Sequence, residues 1–170
     1  TNNGTIILGS KVRNAVGMLV NGASGLVVNN GRIEVLGSKV LGYVAQNFGL
    51  SAIDTTTVRN NGDIYVNGDN NVALNVLANK ANADVQSLSG TITVDGSGDL
   101  NYRNFAAFVE GDNGYRASAN IASQIILNAN GAVGVHARGN ALINVQPSAT
   151  IQFNGENQIG YYAYGPQAEI

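Results

Sequence analysis

One six-residue block recurs along this chain, and it restricts the fold more than any other feature. The block is a small or polar residue, a glycine or other small residue, a spacer, an isoleucine, any residue, and a second apolar residue. It reads Asn3-Gly4-Thr5-Ile6-Ile7-Leu8, Asn30-Gly31-Arg32-Ile33-Glu34-Val35, Asn61-Gly62-Asp63-Ile64-Tyr65-Val66 and Ser89-Gly90-Thr91-Ile92-Thr93-Val94. Weaker copies follow at Ala122-Ser123-Gln124-Ile125-Ile126-Leu127 and Ser148-Ala149-Thr150-Ile151-Gln152-Phe153. All six carry isoleucine at the same place, at intervals of 27, 31, 28, 33 and 26 residues. A period of this size belongs to stacked repeat architectures.

A second block follows each first one. It reads Val16-Gly17-Met18-Leu19-Val20, Leu41-Gly42-Tyr43-Val44-Ala45, Val72-Ala73-Leu74-Asn75-Val76, Phe105-Ala106-Ala107-Phe108-Val109, Val133-Gly134-Val135-His136-Ala137 and Ile159-Gly160-Tyr161-Tyr162-Ala163. Its first, third and fifth places are apolar, counting tyrosine, and its second is Gly or Ala. Alternation with period two marks a strand with one buried face. Shorter apolar stretches, such as Leu26-Val27-Val28, Thr57-Val58 and Ile143-Asn144-Val145, close most repeats. Three short strands and three bends in each repeat describe one turn of a three-sided parallel β-helix (β-solenoid), with coils stacked about 4.8 Å apart. About six coils of 26–33 residues then form an all-β rod of roughly 30 Å. An antiparallel sandwich also accommodates alternating strands. It gives no reason, however, for a column of Ile or of Gly and Ala, whereas in a solenoid equivalent positions are vertical neighbours.

The column chemistry agrees with stacking. Asn3, Asn30 and Asn61 form an expected ladder of side-chain amides, each bonded to the next. Gly4, Gly31, Gly62 and Gly90 read as a bend requiring positive φ. The whole chain holds 25 Asn and 22 Gly, as suits a molecule that turns often. Insertions fall at corners, and the longest is expected between Val94 and Ile125, with loops around Gly96–Asn104 and Glu110–Ala119 projecting.

Charge excludes some functions. Only 12% of residues are charged, the net charge is −2, and the nine Lys and Arg are scattered. That leaves no electrostatic footprint for nucleic acid or an anionic membrane. No run approaches the roughly 18 apolar residues of a membrane helix, so direct membrane insertion of this segment is not expected. There is no cysteine for disulfide or thiolate chemistry.

The search for catalytic or metal chemistry yields little. A Ser-His-Asp triad would need His136, the sole histidine. It sits at the outward fourth place of its block with no nucleophile elbow nearby. Asp95-Gly96-Ser97-Gly98-Asp99-Leu100-Asn101 spaces oxygens as a calcium loop does, but Leu100 and Ala106 stand where Gly and a bidentate Glu are required. Paired carboxylates of a glycosidase have candidates on neighbouring coils in Asp63 with Asp95 and Glu34 with Asp63. Arg32 shares Asp63's column and suggests an ion pair there instead. The reading is therefore no enzyme, no cofactor and no metal site.

A contact surface fits better. The fourth place of the second block reads Leu19, Val44, Asn75, Phe108, His136 and Tyr162. If it points outward, Leu19, Val44, Phe108, His136 and Tyr162 form a partly apolar ridge beside a floor of small residues (Gly17, Gly42, Ala73, Ala106, Gly134, Gly160). Exposed apolar patches mark interaction sites. The alternative is that loop 96–104 or 110–121 folds over the ridge.

The Asn-Gly-x-Ile-x-Val block, followed by Val-Gly-x-x-Val, resembles the β-helical passenger domains of bacterial autotransporters, the type V secretion adhesins. The resemblance runs from Asn3 to about Tyr164 and departs where Ser123 and Ala149 replace the glycine. It implies a right-handed helix and display on a Gram-negative cell surface, or secretion, with outer-membrane anchoring through a region outside this chain. It also implies non-catalytic adhesion or self-association, with a host-cell or matrix receptor, a glycan or another copy as partner. Residues 1–170 then form a single β-helix segment excised from a longer passenger rod. Parallel β-helices also include polysaccharide lyases and glycosidases, so a carbohydrate-active or sugar-binding β-helix is the alternative expectation.

Overall fold

The structure, a computed structural model, describes residues 1–22, 26–37, 46–56, 58–97 and 99–170. The chain winds in successive coils of three strands. The first comprises β1 (Thr5–Leu8), β2 (Val16–Asn21) and β3 (Val27–Asn29), and the second β4 (Arg32–Val35), β5 (Asn47–Ile53) and β6 (Val58–Asn60). The third holds β7 (Asp63–Val66), β8 (Asn71–Ala78) and β9 (Ala83–Ser87), and the fourth β10 (Thr91–Val94), β11 (Phe105–Gly111) and β12 (Ala117–Ile121). Then follow β13 (Gln124–Leu127), β14 (Val133–Gly139), β15 (Ala141–Val145), β16 (Ile151–Phe153) and β17 (Ile159–Tyr164).

Equivalent strands stack into three parallel sheets. The first runs β1-β4-β7-β10-β13-β16, the second β2-β5-β8-β11-β14-β17, and the third β3-β6-β9-β12-β15. Bridges from Asn2 to Asn29 and from Leu142 to Glu169 extend the third sheet at both ends. This is a parallel β-helix, and six stacked strands span about 24 Å along its axis.

The isoleucines set the register. Ile6, Ile33, Ile64, Ile92, Ile125 and Ile151 pair in sequence up the first sheet. The four central ones are fully buried, while Ile6 and Ile151 are partly exposed on the end coils. Full burial of such a side chain contributes about 1.5–3 kcal/mol, and its vertical neighbours supply the burial. A second inward column, Val35, Val66, Val94 and Leu127, lies beside it.

The second sheet departs from simple alternation. Its register pairs the first, third, fourth and fifth residues of each block and skips the second. The second and third residues both face inward: Ala73 with Leu74, and Ala106 with Ala107, are all fully buried in the core. The first residues, such as Val72 and Val133, lie outside the core cluster. The proposed floor of small residues is therefore an inner seam against the isoleucine column. A Cβ on Gly17 would come within 2.7 Å of the Gly49 carbonyl and 3.0 Å of Ile33 Cγ2, and one on Gly134 within 2.6 Å of the Gly160 carbonyl.

The glycines of the first block also serve close approach. Only Gly90 in that column has positive φ, at 81°. A Cβ on Gly31 would strike the Gly4 carbonyl oxygen, and one on Gly62 the Gly31 carbonyl. Stacking distance, more than turn conformation, excludes a side chain there.

Amide ladders staple the coils. The expected one is present, with Asn30 donating to Asn3 at 3.0 Å and Asn61 to Asn30 at 2.9 Å. A second, largely buried one runs Asn2, Asn29, Asn60, Ser87, Ser123 along the third side, with links of 2.7–3.2 Å. A third opens the second side: Asn47 Nδ2 donates to Asn71 Oδ1 at 2.9 Å, and the Asn71 backbone N–H donates to Asn104 Oδ1 at 2.8 Å. Buried amides are stable here because each finds a partner one coil away.

The long fourth coil divides differently from expectation. Gly96–Asn104 carries an insertion, but the longest connection between described strands is residues 36–46, from β4 to β5. Ala117–Ile121 is strand β12 of the third sheet, so only a short turn separates it from β11.

Candidate contact face

The side of the second sheet turned from the isoleucine column carries two rows of side chains, from each block's first and fourth places, and of the first row Val72 and Val133 are fully buried. Register pairing gives the fourth-place row as Leu19, Ser51, Asn75, Phe108, His136 and Tyr162. Ser51 takes the rung assigned to Val44, which falls outside the described residues. The strand of the second coil is Phe48-Gly49-Leu50-Ser51-Ala52, a block of the same pattern seven residues beyond Leu41-Gly42-Tyr43-Val44-Ala45. The asparagine before it was the available signal, since Asn47, Asn71 and Asn104 directly precede Phe48, Val72 and Phe105.

The row is not a uniform ridge. Leu19 is 50% exposed at one end. Ser51 and Asn75 are buried and satisfy each other, Asn75 Nδ2 donating to Ser51 Oγ at 2.9 Å. Beyond this polar step the structure assembles an aromatic cluster across three coils. Phe108 meets His136 edge-on at 4.9 Å between ring centroids, and His136 meets Tyr162 at 4.6 Å. Phe105, from the first-place row, joins at 5.7 Å from Phe108 and 5.8 Å from His136. Phe108, His136 and Tyr162 are thus brought together, while Leu19 stands three rungs, about 14 Å, away from Phe108. Tyr162 is 43% exposed and Tyr164, one outward place further along β17, is 60% exposed.

His136 is half-buried among these rings, and both ring nitrogens are shut from solvent without a hydrogen-bond partner. Burial pushes its pKa below the ordinary 6.5, and the Arg138 charge adds to the shift. Arg138 pairs with Glu110 on the neighbouring strand at 3.4 Å.

Residues of the 96–104 loop lie beside this face, the Asn70 amide donating to the Tyr102 carbonyl at 3.1 Å. Residues 110–121 run into the wall as the end of β11 and as β12. The 96–104 loop packs along the corner leading into the second sheet: Leu100 faces Gly131, and Arg103 donates to the Gly131 and Asn157 carbonyls at 2.8 and 3.2 Å.

The carboxylates weighed for hydrolysis each have a separate partner. Glu34 binds Arg32 at 2.6 Å, with the guanidinium 5.6 Å from the Tyr65 ring centroid. Asp63 accepts the Thr91 amide at 2.8 Å, so the Arg32–Asp63 pairing suggested by their shared column gives way to Arg32–Glu34. Asp95 accepts the Tyr65 hydroxyl at 2.7 Å; burial and this carboxylate push the phenol up to about 12. In the calcium-like loop, Asp99 accepts the Asn101 amide at 2.9 Å. Among the described residues no three His, Cys, Asp or Glu are grouped to hold a metal.

A polar groove follows another corner. Asn3, Gly4, Thr5, Asn30, Gly31, Arg32, Asn61, Gly62 and Asp63 line about 440 Å³ across three coils. No protein-family model, curated protein or solved structure matches this chain.

Proposed function

We propose that this chain is a non-catalytic contact rod of a bacterial cell surface, engaging another copy of itself or a receptor through the outer face of its second sheet. The observation that supports it is the cluster of Phe105, Phe108, His136 and Tyr162, outward aromatics repeated on successive coils. Aromatics bring large contact area at low entropic cost. The bacterial surface, and an autotransporter-like anchoring outside this chain, rest on the resemblance of the repeat alone.

Size limits the strength of such a contact. Strands of six to eight residues give a face about 20 Å wide. Over about 24 Å of rod this is about 500 Å², short of the roughly 800 Å² per partner of a standard interface. Contacts of this face are weak singly and gain strength from longer rods or from many copies side by side. Phe108→Ser combined with Tyr162→Ser is expected to reduce association in light scattering of concentrated protein while the circular dichroism stays β-rich. Unchanged association would remove the face from this role.

A second reading is favoured by the polar groove, whose ladder leaves amide hydrogens of Asn3, Asn30 and Asn61 facing solvent beside Arg32 and Asp63. It is binding of an extended neutral glycan, with or without turnover. Titration of neutral oligosaccharides against wild type and Asn30→Ala/Asn61→Ala separates the readings, since only groove binding is lost in that variant.

A further inference from the structure

We propose that His136 is an acid-sensitive element of the rod, whose protonation loosens the aromatic cluster joining β11, β14 and β17. The proposal concerns the rod itself and holds whatever its face engages. The geometry is that of a neutral ring. Phe105 stacks on the imidazole with an interplanar angle of 30°, Phe108 meets it at 78° and Tyr162 at 41°. Both ring nitrogens are closed from water, and neither has a hydrogen-bond partner. A neutral imidazole bears this at a modest cost. An imidazolium has two charged N–H donors, each of which loses solvation with nothing in exchange.

Among the described residues the surrounding charges do not supply a counter-ion. On β14 itself Arg138 points to the same side and opposes a further positive charge. On β11 the carboxylate of Glu110 is taken by Arg138. On β17 the neighbours are Tyr162 and Tyr164, and neither side chain is a carboxylate. Arg103, at the adjoining corner, is held by the carbonyls of Gly131 and Asn157 and is also positive. The aromatic faces attract a cation, but they do not replace hydrogen bonds to both N–H groups. The ring gains these by rotating toward water, which separates it from Phe105, Phe108 and Tyr162.

The direction with pH follows. Above 6.5 the histidine is neutral in the folded and unfolded chains, and stability is full. As pH falls below 6.5 the unfolded chain takes up its proton first, so stability declines across this window until the folded chain also protonates, and then levels off.

His136 is the only histidine, so its imidazole resonances are unambiguous in a titration of the intact chain from pH 8 to 5. The expected result is a midpoint below 6.5, with the ring signals of Phe108 and Tyr162 shifting along the same curve. Thermal unfolding of wild type should lose several degrees between pH 7.5 and 5.5, a loss that His136→Phe abolishes. A midpoint at or above 6.5, or a titration that leaves the Phe108 and Tyr162 signals in place, overturns the proposal. The wild-type titration decides the matter even if the variant does not fold.

Discussion

At the scale of single residues, what a position tolerates is set by its neighbour one coil away. Gly62 sits over the Gly31 carbonyl, whereas Gly4 of the first coil has nothing within 4 Å of an added Cβ. Gly62→Ala is therefore expected to cost about 2 kcal/mol or more, and Gly4→Ala less than about 0.5 kcal/mol, in urea denaturation. Equal effects would mean that the glycine column answers to turn conformation. The sequence displayed the column but not its reason, because a glycine needed for φ and one needed for clearance look alike. The isoleucine column was fully legible: apolar identity, fixed place and recurrence together leave one stacking. The first residue of the second block was not, since Val72 and Phe105 are apolar although they lie outside the main core cluster, Val72 being buried all the same.

At the scale of elements, the strands are joined by corners with chemistry of their own. Asp54 follows β5 with φ 53° and is nearly buried. Its Oδ1 accepts the amides of Asn79 and Lys80 at 2.7 and 2.8 Å and that of Ala81 at 3.2 Å, tying one corner to the next coil. Burial alone would raise its pKa, but these three donors and the Lys80 charge outweigh it and hold the carboxyl below 3.8. The stabilisation is present above the unfolded value of about 3.9 and is lost as pH falls through the lower folded value. Asp54→Asn, which keeps an acceptor and tolerates the left-handed backbone, should weaken the fold near neutrality. It should also flatten the decline of Tm between pH 5 and 2. A parallel decline in both proteins would assign the acid sensitivity elsewhere. Corners were the least legible part of the sequence. The second coil offers two blocks of one pattern, and pairing with Asn71 is what selects the one after Asn47.

At the scale of the molecule, each coil touches only those directly above and below, so stability is distributed along the rod. The central isoleucines are closed off, while Ile6, Ile151 and Tyr161 meet solvent on the end coils. Amide hydrogen exchange is expected to be slowest in β7, β8, β10 and β11 and to quicken toward β1, β16 and β17. A uniform rate across all coils would show a single cooperative unit in place of a stack. The contact face was legible in part for the same reason. Recurrence placed Phe108, His136 and Tyr162 on one line, but whether each rung is apolar, buried or polar depends on packing between coils.

The backbone bonds between coils all point along the rod axis, and this gives the molecule a distinct response to force. Tension applied between its two ends loads three ladders at once, and a coil resists until its share of all three fails. Rupture of one coil then frees 26–33 residues in a single event. At about 3.4 Å for each extended residue this is about 90–110 Å of new length. Stretched between two surfaces, such a rod yields in large, discrete steps, giving slack one coil at a time while the remaining coils hold.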